Sequence, residues 1–276
     1  MAAWILEKQT LIRVLSFLVV LAIFGGIEMT FPRRQRMHSQ WKRWLSNLGL
    51  SFLNAAFLRF FVVMSPVGIA LIAHEQDVGV LHMLELPLWL AALVSIVILD
   101  MVIYFQHIAF HKTPILWELH KVHHSDQDLD VSSALRFHTI EMLLSFFIKG
   151  VAVYLLGAPA FSVILFEVLL NGTALFNHSN FSLPSCYEKR VRSFLVTPDM
   201  HRVHHSVDIA ETNSNYGFNL SCWDRIFGTY CSEPAKGQDG MMIGLHEYQR
   251  SSPLNMRQLL ALPFDKKIFK KTSKHK

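Results

Sequence analysis

Ten of the fifteen histidines in this chain fall between His107 and His205, and most of them stand in repeating patterns. His120-Lys121-Val122-His123-His124 returns far along the chain as His201-Arg202-Val203-His204-His205, and His107 and His111 form a pair spaced by four. Residues three and four apart share a face of an α-helix, so each five-residue box could turn three imidazoles toward one centre, and His107 and His111 could point at one metal. Neutral imidazole suits iron, copper, zinc and nickel. Eight or more such donors exceed what one ion of four to six coordination takes, which implies two metals. No H-E-x-x-H box is present and no Glu stands inside the histidine boxes as a general base, so a redox pair fits better than zinc hydrolysis. His138 and His178 lie between the boxes and join the candidates. His38, His74, His82, His246 and His275 stand alone and read as ordinary core or surface residues.

These donors are carried by a chain of 276 residues that is 51% hydrophobic and only 17% charged, too apolar for an ordinary soluble domain. Apolar stretches run at about 11–31, 48–73, 84–105, 142–156 and 161–176. The first three are long enough to cross a bilayer. The last two flank the turn signal Gly157-Ala158-Pro159-Ala160 and, at roughly 1.5 Å per residue, span about 24 Å each, short of the ~30 Å hydrocarbon core; they form a tight hairpin of short spans or a re-entrant pair. The first stretch has no small-x-small cleavage site after it and reads as a retained anchor. Arg33, Arg34, Arg36, Lys42 and Arg43 follow it, whereas the connection 74–82 carries Glu75 and Asp77 and no basic residue. The positive-inside rule then puts the N-terminus outside and all ten clustered histidines on the cytoplasmic face. The expected fold class is an all-α integral membrane protein, a bundle of about four to five hydrophobic helices capped by a cytosolic helical histidine-cage region. Its parts are membrane anchor spans over 1–99, a catalytic region over 100–230 that includes the hydrophobic hairpin 142–176, and a basic cytosolic tail over 231–276.

Charge and cysteine usage exclude other classes. The formal charge of +5 comes with six lysines between Lys266 and Lys276, a tail suited to anionic lipid, and no aromatic-basic interleaving points to nucleic acid. Cys186, Cys222 and Cys231 show no C-x-x-C spacing, so neither a disulfide framework nor a zinc ribbon is suggested. Asp100 stands near the cytosolic end of an otherwise apolar stretch, where an ionised carboxylate is costly unless paired; holding a metal-bound imidazole by its other ring N–H would explain it. Arg59, Lys149 and Glu167 also interrupt apolar stretches and receive no catalytic role, since long basic side chains can snorkel.

The succession D-x-x-x-Y-x-x-H-x-x-x-H at Asp100 to His111, L-H-K-V-H-H-S at Leu119 to Ser125, L-R-F-H-T-I-E at Leu135 to Glu141, N-H-S-N at Asn177 to Asn180, and H-R-V-H-H-S followed by N-Y-G-F-N-L-S-C-W-D-R-I-F-G-T resembles the fatty acid hydroxylase or sterol desaturase superfamily. The resemblance covers about 100–229. It implies a membrane di-iron centre of two non-haem iron ions, with dioxygen as co-substrate and electrons from a separate electron-donor protein. It carries metal-ligand roles onto His107, His111, His120, His123, His124, His201, His204 and His205, with His178 as a further ligand candidate. Asp100 and His138 are the catalytic candidates, although Thr139 stands where many relatives have a proline after the histidine matching His138. Asn180, Tyr216 and Asp224 lie in the matching motifs and could support the cage. The reaction implied is hydroxylation or desaturation at a C–H bond of a membrane lipid, fatty acyl chain or sterol. With the irons near the headgroup boundary, a lipid entering polar end outward would present carbons close to that end. The alternative is a non-enzymatic, histidine-rich membrane metal transporter or metal sensor, which would want polar residues along several spans where the first two stretches offer few.

Overall fold

The computed structural model describes residues 2–249 and 252–265; the lysine-rich end at 266–276 lies outside the described residues. Each apolar stretch becomes a helix, because a chain crossing hydrocarbon must satisfy its own backbone donors and acceptors. The helices that position the site are α1 Gln9–Thr30, α2 Gln40–Leu58, α3 Pro66–Glu75, α4 Leu88–Lys112, α5 Pro114–His124, α6 Thr139–Leu156, α7 Ala160–His178, α8 Pro198–His204 and α9 Met256–Ala261. Five segments are long and apolar enough to cross a membrane: Gln9–Thr30, Gln40–Met83, Leu88–Lys112, Thr139–Leu156 and Ala160–His178. The described residues contain no strand, only isolated bridges at Leu195 to Leu220 and Ser206 to Ile243.

Three spans differ from the sequence expectation. The stretch at 48–73 is broken: α2 ends at Leu58, a 3-10 turn covers Arg59–Met64, and α3 restarts at Pro66. Proline disfavours helical backbone at the residue before it, and Ser65 there is extended, with its hydroxyl accepting the Gly68 N–H at 3.1 Å. The hairpin helices are longer than their apolar runs. α6 and α7 have 18 and 19 residues, roughly 27 to 29 Å, close to a full crossing. The helical hydrogen bonds continue through polar residues at the histidine end, including Glu141, Asn177 and His178, where hydropathy has already fallen.

The path alternates between two ends of the bundle. At the histidine end, Glu28 near the close of α1 is fully buried and accepts the N–H groups of Val131 and Asn180, each at 2.9 Å. α2 starts at the same end. Its Arg43 is buried between Asp126 and Asp130, at 2.8 and 2.6 Å, and its Asn54 donates to the Phe137 carbonyl at 2.8 Å. At the opposite end the turn after α3 meets the α6–α7 turn so closely that a Cβ on Gly79 would lie 2.2 Å from the Gly157 nitrogen. Gly157 itself takes the left-handed conformation, φ +67°, that closes α6. Between the ends, Leu99 and Ile103 of α4 pack with Val153 of α6 and Val163, Ile164 and Phe166 of α7.

The segment expected as a cytosolic tail, 231–276, is part of the packed body as far as residue 265. Met241 and Ile243 are buried against Leu129, and Leu259 of α9 packs on Leu50 and Val122. Its composition is ordinary through residue 265 and becomes lysine-rich only beyond it, so the basic signal of a tail belongs to 266–276 and not to the packed part.

Candidate metal centre

The nine histidines expected as ligands converge in two groups. His107, His111, His120, His124 and His204 form one, and His123, His178, His201 and His205 the other, with one ring nitrogen of each residue lying within 4.8 Å of those of its group. Each box is therefore divided, contrary to the expectation that its three imidazoles face one centre. His120 and His124 go together and His201 and His205 go together, as i and i+4 on one face; His123 and His204 cross to the other group. At 100° per residue the i+3 and i+4 positions lie on opposite sides of position i, about 100° apart, so two facing boxes can each serve two centres.

Ring orientation is set from outside the groups. The Nδ1–H of His107 donates to the Tyr216 carbonyl at 2.8 Å, that of His204 to Ser214 at 2.7 Å, and that of His178 to Ala174 at 2.7 Å. His120 turns its Nδ1 to the Glu141 carboxylate at 2.6 Å. A carbonyl only accepts, and so does an ionised carboxylate, so these bonds put the proton on Nδ1 and leave the Nε2 lone pair facing inward. His107 Nε2 and His120 Nε2 are then two lone pairs 3.1 Å apart, and His178 Nε2 lies 3.1 Å from both His123 Nε2 and His201 Nε2. Two acceptors at that distance repel unless a cation lies between them, and two imidazoles on one ion at about 2.0–2.1 Å each stand about 3 Å apart. Among the described residues the Nε2 atoms of His111, His124 and His204 are buried without a hydrogen-bond partner. The donor set thus fits metal ions. Burial, reinforced by neighbouring imidazoles, holds His123, His124, His201 and His205 well below the ordinary histidine range, and burial takes His204 down to about 3. They are neutral, the form a metal takes.

Asp100 does not hold an imidazole, which corrects the sequence reading. Its carboxylate accepts the Asn219 N–H at 3.3 Å, the Leu220 N–H at 3.1 Å and the Trp223 indole N–H at 2.8 Å. It ties α4 to the segment that carries Tyr216. The carboxylate that meets a ring is Glu141, visible in the sequence as an acid in the first turn of an apolar helix but not singled out. His138 stands outside both groups: its Nδ1 accepts the Ile140 N–H at 3.2 Å and caps α6. Asp224 accepts the N–H groups of Tyr216 and Gly217 at 2.7 and 2.9 Å, fixing the turn whose carbonyl holds His107, and burial pushes its carboxyl up to about 6. Asn180 pins the loop after α1, its amide donating to the Arg34 carbonyl at 2.8 Å.

The box residues Lys121 and Arg202 are buried, each paired with an acid three residues before it, Glu118 and Asp199. Arg43, Arg136, Asp126 and Asp130 form a buried network beneath the first box, and Gly244 N–H donates to the His205 carbonyl at 2.9 Å beneath the second. Arg43 was legible only as a basic loop residue. His38, His74, His82 and His246 lie outside both groups, and His275 lies outside the described residues. A cavity of about 410 Å³ opens beside His107 and His120, walled near them by Ile103, Phe110, Phe137 and Glu141.

The fatty acid hydroxylase family model matches residues 92–229, half of the chain, and this span contains all nine histidines. The chain is similar to ornithine lipid hydroxylase OlsE of Rhizobium tropici, 33% identical over 148 residues that cover 54% of this chain and 44% of that protein. Alkylglycerol monooxygenase of Xenopus tropicalis is 29% identical over 150 residues, 53% of this chain and 32% of that one. A cholesterol 25-hydroxylase-like protein of Danio rerio is 25% identical over 224 residues, 78% of this chain and 84% of that one. The chain thus spans less than half the length of the first two. No solved structure matches it.

Proposed function

The chain belongs to the fatty acid hydroxylase family, and from that premise we propose that it is a membrane oxidoreductase holding two iron ions in its nine imidazoles and oxidising a C–H bond of a lipid. The observation that carries the reading is the convergence of the His107 and His120 Nε2 atoms, 3.1 Å apart with each ring held at Nδ1 from behind, the spacing that two imidazoles take on one ion. His107, His111, His120, His124 and His204 would hold one ion and His123, His178, His201 and His205 the other. Bound iron supplies dioxygen chemistry, with electrons from a separate donor protein. The chain's own residues orient and exclude: Glu141 and the carbonyls of Ser214 and Tyr216 fix the rings, Phe137 stacks on His123 at 4.4 Å, and the cavity holds a carbon beside His107 and His120 away from water. Relatives named for an ornithine lipid and for alkylglycerol support a lipid substrate. The basic residues after α1 support a cytoplasmic position for this face.

Metal transport is the weaker reading. Polar groups do line the space between spans, but at its end away from the histidines Arg13 and Lys149 share the single carboxylate of Glu167, an excess of positive charge that repels a cation. The test is joint metal analysis of the purified protein and comparative lipid mass spectrometry of cells with and without it. About two irons per chain and a lipid that gains one oxygen or loses two hydrogens are expected. Full activity with one tightly held zinc would overturn the proposal.

A further inference from the structure

The cavity beside His107 and His120 has a second, charged end. Along α6 its wall carries Glu141, Ser145 and Lys149, one turn apart on one face, and Glu167 of α7 and Arg13 of α1 complete the far end. Lys149 lies eight residues from Glu141, about 12 Å at 1.5 Å per residue, and seven from the end of α6, about 10 Å. Lys149 does not snorkel to a surface, as its sequence position suggested. Its ammonium turns inward to Glu167 Oε1 at 3.2 Å, and Arg13 takes the other oxygen of the same carboxylate. Two cations thus share one anion. The Arg13 Nε is buried with no hydrogen-bond partner among the described residues. Net positive charge between membrane spans is expensive to maintain and marks a functional position by default. Between the two ends Gln106 donates to Ser145 at 3.0 Å, and the rest of the wall is largely apolar.

We propose that Arg13, Lys149 and Glu167 form a head-group site for an acidic amphiphile, a single-chain lipid ending in a carboxylate or a phosphate monoester, which enters from the membrane side opposite the histidines. This rests on the oxidation reading above and names its substrate class. The anion completes the charge of the cluster, its alkyl chain lies along the apolar wall, and its distal carbons reach His107 and His120. Oxidation then falls far from the acidic head, the reverse of the orientation expected from the sequence alone.

The test is equilibrium binding to the metal-free, full-length protein in phosphatidylcholine nanodiscs, with radiolabelled dodecanoic acid, dodecyl phosphate and 1-dodecanol as probes and protein-free discs as the blank. At least one anion should bind about tenfold more tightly than the alcohol. Lys149→Met should remove that preference without weakening the alcohol, and Lys149→Arg should keep it. Arg13→Gln repeats the test from a different span. Whichever anion is preferred assigns the head as carboxylate or phosphate. Equal affinity for all three probes, or a preference that survives both Lys149→Met and Arg13→Gln, would overturn the proposal. Because no metal is present, that result leaves the oxidation reading standing, and a chain that binds the anion but never oxidises it would fail the other way.

Discussion

Glu141 receives the Nδ1 of His120 from the first turn of α6, and its other carboxylate oxygen is buried without a hydrogen-bond partner among the described residues. A carboxylate behind a ligand imidazole fixes its tautomer and raises its basicity, and losing such a partner weakens metal binding by about 10–100-fold. Glu141→Gln, which keeps the shape and loses the charge, should fall near the lower figure and Glu141→Ala near the upper, read by chelator competition. The divided boxes make a sharper expectation. His123→Ala and His204→Ala each remove a donor from a different group, so each should abolish turnover and lower bound iron toward about one per chain. Membrane insertion should be intact in both, since neither residue lies in a span. Retained turnover in both variants would take them out of the site.

Short helices carry the boxes, and their anchors are tertiary. α8 has seven residues, too few to be stable alone, and is held by the Thr197 hydroxyl accepting the Met200 N–H at 3.3 Å, by Pro198 in its first turn, and by the 241–245 segment beneath it. α5 rests on the Arg43 network and on α9. At the other end of the bundle the contact between Gly79 and Gly157 lets the turn after α3 lie against the α6–α7 turn. Gly79→Ala should separate them and lower thermal stability by roughly 1–3 kcal/mol, because a Cβ there meets backbone that cannot step aside. The purified variant should still bind metal, since the histidines sit at the opposite end; loss of metal binding with unchanged melting would contradict this separation of the two ends.

Taken whole, the molecule sends five segments long and apolar enough to cross a membrane back and forth, so that the loop after α1, the two boxes and the packed segment to residue 265 share one end. A reporter joined after the last residue should therefore be active in the cytoplasm, and one joined at the N-terminus only outside it. Cytoplasmic signal from both ends would contradict the odd number of crossings. The same arrangement gives the cavity two chemically distinct ends, imidazoles at one and the Arg13–Glu167–Lys149 cluster at the other.

Sequence alone pointed to the nine histidines that gather in the two groups and determined the helical class, because H-x-x-H-H and H-x-x-x-H are local patterns and apolar runs long enough for a bilayer leave the backbone little choice but helix. It also pointed to the hairpin turn through Gly157 and to the kinship of the region from Asp100 onward. Tertiary structure alone decided which metal group each histidine joins, since His123 and His204 differ from their box neighbours only by a rotation about the helix axis that acquires meaning when the two boxes face each other. The roles of Asp100 and Glu141 were decided in the same way: both are acids in apolar helices, and which one meets an imidazole depends on what lies across the gap. Arg13, Lys149 and Glu167 sit on three different spans, so no local pattern links them, and only the packing of α1, α6 and α7 shows one carboxylate shared by two cations.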